Sequence, residues 1–212
     1  MKLIDMTHLI KEDMPVFPGT EKPILKTANT IAKDGFKETL LSMFSHTGTH
    51  MDAPSHIFEN KKNLDQFDLE HFSGKAMVLD FEYKKEGEII SLEEIISYDV
   101  KLNDLEYVII KTGWDKYWGD HKYYGEFPVL SNDAAIYLSE KNLKGIGLDV
   151  ISLDSMNDAL LKNHRAVLSK EMVIIENLTN LGAFRDEIFT VYFMPLKYKG
   201  ADGAPIRAFG AV

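Results

Sequence analysis

The sequence predicts one mixed α/β domain, and three observations carry that expectation. Seven short apolar runs rich in β-branched and aromatic residues are spread along the chain. Helix start signals lie between several of them, and no linker, repeat or low-complexity tract divides the 212 residues. The seven prolines and 14 glycines are scattered, so residues 1–212 are read as a single unit.

The strands are expected at 24–31, 38–45, 75–82, 106–112, 145–151, 171–177 and 188–194. Ser91-Leu92-Glu93-Glu94 fits a capping box, in which the serine oxygen takes an orphan helix N–H and the glutamate reaches back. Ser131 or Asn132 can cap a helix running through Lys141, and a shorter helix is expected near 155–163. Strands and helices interleave without strict βαβ order, which argues for a mixed sheet.

Composition removes several function classes. With 33 acidic and 24 basic residues the formal charge is −9, which disfavours a nucleic-acid partner. No run reaches the roughly 18 apolar residues of a membrane span, so no membrane partner is expected. Asp5 and His8 interrupt the stretch where a signal peptide would be apolar. The cysteine count is zero, which excludes thiol catalysis, thiolate metal sites and a disulfide-stapled scaffold. A cytoplasmic location fits these features.

Chemistry concentrates in one segment. Of the seven histidines, three fall within His46-Thr47-Gly48-Thr49-His50-Met51-Asp52-Ala53-Pro54-Ser55-His56. Imidazole and carboxylate together form the ligand set of zinc, manganese or ferrous iron. Gly48, the two threonines and Pro54 disfavour a helix here. In an extended chain side chains alternate, so His46, His50 and Asp52 would share one face, with Gly48 between them leaving room for an ion. A solvated loop would explain one histidine; three with an aspartate in matching parity read as a metal site. His56 lies beyond the turn at Pro54, where it is either a further ligand or a free acid/base.

Further ligands would come from elsewhere, and His164 and Glu176 are the candidates. Glu176 ends the apolar run Met172-Val173-Ile174-Ile175, where a buried carboxylate needs a cation or several donors. The alternative is a solvent-facing strand end. His164 follows a helix-like stretch and could equally cap its C-terminus. Asp149 and Asp154 form a rival acidic pair, but the glycines before them favour bonds to backbone N–H groups. Phe17, Phe58, Trp114 and Trp118 are the aromatic candidates for a pocket wall.

The histidine segment resembles the signature of the metal-dependent cyclase/hydrolase family that includes bacterial kynurenine formamidase and isatin hydrolase. Further marks are Phe17-Pro18-Gly19, Thr112-Gly113-Trp114, the run from Gly147 to Asp154, His164 with Glu176, and the tail Asp202-Gly203-Ala204-Pro205-Ile206-Arg207. The resemblance spans nearly the whole chain. It implies a compact α/β domain with a mixed, barrel-like sheet core and peripheral helices, assembled as a homodimer or homotetramer. It also implies His46, His50 and Asp52 as ligands of a first divalent metal, with Asp52 and Glu176 bridging to a second that His164 also holds. Two zinc ions per subunit are implied, with manganese as the alternative, and His56 matches the catalytic general acid/base.

The implied activity is hydrolysis of a small amide, of aryl formamide or cyclic amide type, by a metal-activated water. Phe17 matches a substrate-wall position where formamidases usually carry Trp, so the aromatic face is kept and the indole N–H lost. Isatin hydrolases tend to carry Gln at the position of Glu176. A lyase, dehydratase or lactone hydrolase using the same metals on a small cyclic or hydroxy-acid substrate, and a metal-binding protein without catalysis, are the competing readings.

Overall fold

Alternation along the strands sorts the core into two layers. The computed structural model describes residues 1–184 and 187–212. The strands are β1 (Leu3–Asp5), β2 (Ile24–Asn29), β3 (Glu38–Ser42), β4 (His50–Asp52), β5 (Ser73–Asp80) and β6 (Ile89–Ile90). They continue as β7 (Tyr107–Lys111), β8 (Val129–Leu130), β9 (Gly145–Leu148), β10 (Val173–Glu176), β11 (Phe189–Pro195) and β12 (Gly203–Ala211). The α-helices are short: α1 (Ile31–Asp34), α2 (Leu92–Ile96), α3 (Asp99–Leu102), α4 (Asn132–Ser139) and α5 (Lys162–Leu168).

The strand order β12-β11-β5-β7-β9-β10-β4 closes on itself through a β4–β12 pairing, giving a mixed seven-stranded barrel. Strands β5, β7, β9 and β10 run parallel, and the remaining pairings of the ring are antiparallel. In β5 and β7 the residues Ala76, Val78, Tyr107 and Ile109 point into the barrel, where they meet Met51, Val173, Ile175, Val191, Phe193 and Ile206. The alternate residues Met77, Leu79, Val108, Ile110, Ile146 and Ile174 face outward and pack under α2, α4 and α5 through Ile95, Leu138 and Val167. Each such fully buried aliphatic or Phe side chain stabilises by roughly 1.5–3 kcal/mol.

Closure needs small residues where walls approach. A Cβ at Gly145 would lie 2.6 Å from the Val173 carbonyl oxygen, and one at Gly147 would lie 2.8 Å from Leu178 Cδ1. Outside the barrel, β2 and β3 form a separate hairpin whose residues are largely exposed, and β6 pairs with β8. No helix among the described residues is long and apolar enough to cross a membrane.

Each of the seven expected runs contains a strand, and the barrel implied by the family resemblance is present. Three expectations are corrected. The run at 145–151 stops being a strand after Leu148. The helix from Ser131 ends at Ser139, with Glu140 as its cap, short of Lys141. The helix expected near 155–163 is replaced by turns, because the Ser155 and Asp158 side chains take the amides of Asn157 and Leu160. Leu161, at φ 49°, then starts α5.

Candidate metal centre

The register of three strands builds the centre. In β4, Met51 enters the barrel, so His50 and Asp52 face out. Its neighbour β10 places Glu176 opposite His50 and Ile174 opposite Asp52, with Ile175 inward. On the other side, β12 sets Gly203 beside Asp52. Side chains of His50, Asp52 and Glu176 therefore converge on the outer wall, and all three are buried.

His46 arrives by a turn. Gly48 adopts φ 67°, so residues 46–52 are not one extended strand, and the regular alternation covers only residues 50–52. A Cβ at Gly48 would also press within 2.9 Å of Met14 Cε. Beyond this turn His46 Nδ1 lies 2.7 Å from Asp52 Oδ1. His164 comes from the first turn of α5, not from a helix C-terminus, and its ring is buried against the same carboxylates.

The two carboxylates are shared symmetrically between two imidazoles. His50 Nε2 lies 3.3 Å from Asp52 Oδ1 and 3.4 Å from Glu176 Oε2. His164 Nε2 lies 3.6 Å from Asp52 Oδ2 and 3.3 Å from Glu176 Oε1. Ligand bonds of about 2.0–2.2 Å arranged tetrahedrally put neighbouring donors about 3.3–3.6 Å apart, so the donor set fits divalent ions. Imidazole with carboxylate is also the chemistry zinc and manganese accept.

Electrostatics leads the same way. Burial by itself would push the Asp52 carboxyl up, but His46, His164 and His50 outweigh it and hold it well below the usual carboxylate range. Burial likewise pulls His46 down, yet Asp52 and Asp202 raise it to about 10. His164 also ends well above the ordinary imidazole value, through Asp154, Asp52 and Glu176 acting against burial. The buried carboxylates thus draw protons onto the histidines, and bound metal ions would displace those protons.

His56 is the exposed member of a second donor group, since with His46 and the buried Asp52 it offers ligand atoms that all lie within 4.8 Å of one another. It is exposed, on the short 3₁₀ turn Pro54–His56, with its ring centroid 4.0 Å from that of His46 and 6.3 Å from that of His164. Desolvation by the pocket lowers its pKa, His46 and His164 add to that shift, and Asp52 opposes it.

A cavity of about 370 Å³ opens over the cluster, and Pro15, Val16, Phe17, Phe44, Ile151 and Leu161 form its apolar wall. Of the four aromatic candidates, Phe17 alone lines this cavity. Trp114 is buried in the outer core, Trp118 stacks on His8 with centroids 3.9 Å apart, and Phe58 sits under Arg165. Phe44, at the end of the β2–β3 hairpin, was not among the candidates.

The acidic pair divides. Asp149 accepts the amides of Thr112 and Gly113, as expected of a turn-forming carboxylate. Asp154 accepts the amides of Asn163 and His164, but its Oδ2 also lies 2.7 Å from His164 Nδ1. Asp202, from the tail, holds His46 from the far side, with Oδ2 3.1 Å from Nε2. Sequence reasoning assigned neither contact, since a lone acid remote in sequence carries no local signal of its partner.

Residues 4–155 match a family model described as "Putative cyclase". A kynurenine formamidase from Bacillus cereus (strain ATCC 14579) is 33% identical over 97% of this chain and 95% of its own length. The structure of a predicted metal-dependent hydrolase from Bacillus stearothermophilus aligns with TM-score 0.81 at 28% identity, over 99% of this chain and 97% of that one. An isatin hydrolase bound to the product analogue thioisatinate aligns with TM-score 0.90 at 22% identity, over 100% of this chain and 92% of that one, and shares the fold.

Proposed function

Because the chain belongs to the cyclase family, we propose that it is a metal-dependent hydrolase of small amides, of the aryl formamide or cyclic aryl amide type. The observation that carries this reading is the sharing of both oxygens of Asp52 and of Glu176 between His50 and His164. That arrangement supports two divalent ions, zinc or manganese: His46, His50 and Asp52 would hold one, His164 the other, and Asp52 and Glu176 would lie between them.

Bound there, the ions supply Lewis acidity, polarising a carbonyl and bringing the pKa of a coordinated water to about 7. The chain's own residues do the rest. His56, exposed at the cavity beside His46, accepts a proton and returns it to the departing nitrogen. Phe17 and Phe44 offer ring faces to an aryl group, and the apolar wall excludes water from it. No lysine or arginine lines the cavity among the described residues, which favours uncharged substrates.

The same reading has the protein in the cytoplasm as a homodimer or homotetramer. Exposed Ile24, Leu40, Leu41 and Phe44 on and beside the β2–β3 hairpin support an assembly, because a two-stranded hairpin is marginal alone.

The test combines metal analysis of protein purified without chelator with turnover of formanilides and cyclic aryl amides in heavy-oxygen water. Solvent oxygen in the product carboxylate is expected. Metal-bound protein that turns over without incorporating it would favour a lyase, and protein that binds no divalent ion would overturn the proposal.

A further inference from the structure

We infer that Asp154 and Asp202 are positioning residues that fix which nitrogen His164 and His46 turn toward the metal centre, an inference that rests on the metal reading above. Each of the three histidines His46, His50 and His164 has one ring nitrogen facing the carboxylate cluster and the other on an acceptor outside it. His50 Nδ1 is 2.8 Å from the Gly48 carbonyl oxygen, His164 Nδ1 is 2.7 Å from Asp154 Oδ2, and His46 Nε2 is 3.1 Å from Asp202 Oδ2. A neutral imidazole has one N–H and one lone pair, so an acceptor on one nitrogen leaves the lone pair on the other.

The pattern is not uniform. Gly48 and Asp154 act on Nδ1 and leave Nε2 for the cluster, whereas Asp202 acts on Nε2 and leaves Nδ1. His46 therefore meets the centre through the opposite nitrogen from His50 and His164. Its Nδ1 already lies 2.7 Å from Asp52, on the cluster side.

Both acceptors are themselves held. Asp154 is buried and its two oxygens take the first amides of α5, so the carboxylate cannot rotate away without uncapping the helix. Asp202 is 46% exposed at the cavity mouth, where Ser45 Oγ donates to Oδ2 and the Tyr198 hydroxyl, which donates to the Gly203 carbonyl oxygen, lies 3.3 Å from Oδ1. Gly203, next along the chain, has no side chain because His46 lies over it; a Cβ there would sit 2.7 Å from His46 Nε2. The tail thus packs under the ring and supplies its acceptor with two successive residues.

An asparagine at either position would present an N–H to a ring N–H, or lose the charge that holds the ring. Outer acceptors of this kind are typically worth about 10–100-fold in metal affinity. The test measures Zn(II) affinity of the metal-free protein by chelator competition, and stoichiometry by mass spectrometry, for wild type, Asp154→Asn and Asp202→Asn. Zinc binding weaker by about 10–100-fold is expected in each variant. Asp202→Asn should keep the fold of the metal-free protein, checked by circular dichroism, since the side chain is half-exposed.

A second readout covers the case in which Asp154→Asn does not fold. Long-range proton–nitrogen spectra of the zinc-loaded wild type should show Nε2–H for His46 and Nδ1–H for His50 and His164. A proton on Nε2 of His164 overturns the Asp154 assignment. Unchanged zinc affinity in Asp202→Asn, or Nδ1–H on His46, overturns the Asp202 assignment. If both variants keep wild-type affinity, the positioning roles fail while the hydrolase reading stands; wild type without zinc affinity removes that reading itself.

Discussion

Asp52 is the side chain on which the centre turns, because its two oxygens face different histidines and its burial leaves no water to replace them. Asp52→Asn keeps the volume but removes one negative charge and one acceptor. Loss of at least one metal ion is expected, with activity falling to background; a metal count equal to wild type would mean that another group does the work of Asp52. His56 is asked for something different. It is exposed and lies beside the cluster without being buried in it, so His56→Ala should leave the metal content intact while kcat falls by roughly 10²–10⁴-fold. Metal lost from that variant would instead make His56 a ligand. At this scale the sequence was legible where residues of one chemistry crowd together: His46, His50 and Asp52 declare themselves within seven positions. Glu176 and His164 needed the family resemblance, since a strand-end acid and a histidine near a helix have ordinary structural explanations. Phe44 gave no signal because the hairpin that carries it to the cavity is not visible in local sequence.

The elements position the centre by register, and here the sequence was only partly readable. Short apolar runs rich in β-branched residues mark β5, β7 and β10 as strands, but β12 is hidden, because Gly203, Pro205 and Gly210 lower its strand propensity. The structure gives Gly203 and Gly210 a reason: a Cβ at either would enter a ring, that of His46 in one case and of Phe184 in the other. Parity gave the right convergence in the histidine segment only in part, since Gly48 turns His46 inward where a regular strand was expected. Gly203→Ala tests this role of β12. The methyl group must displace His46, so zinc affinity should fall, at a cost to stability of about 1–3 kcal/mol by overpacking. Wild-type metal affinity in that variant would show that His46 can move freely. Ser91→Ala provides the contrasting case, remote from the centre. It removes the side-chain acceptor of the Glu94 amide at the start of α2, and denaturant melts should show a loss of about 1 kcal/mol with metal content unchanged.

At the scale of the whole molecule, the barrel and the candidate metal centre are one construction. The strands that close the ring, β10, β4 and β12, also carry Glu176, His50, Asp52 and Gly203, so the geometry of the candidate ligands is fixed by the same pairings that remove the sheet edges. Closure itself was not derivable from periodicity, which predicts strands without predicting that the last pairs with the fourth; the resemblance supplied it. One consequence concerns stability. Without metal, Asp52 and Glu176 remain buried on the outer wall and are compensated by protonated histidines; with metal, the native state gains ligand bonds that the unfolded chain cannot assemble. A ligand that binds only the native state stabilises it by about 2.7 kcal/mol at a free concentration 100 times its Kd. For a chain of 150–250 residues each kcal/mol moves Tm by about 2–4 °C, so zinc at that excess should raise Tm by roughly 5–11 °C over the chelated protein. Scanning calorimetry of chelated and zinc-restored samples measures this directly. The gain should be reduced in Asp52→Asn, which keeps the barrel but loses a carboxylate of the centre. An equal zinc-induced rise in that variant would place the stabilising ion somewhere other than the wall formed by β10, β4 and β12.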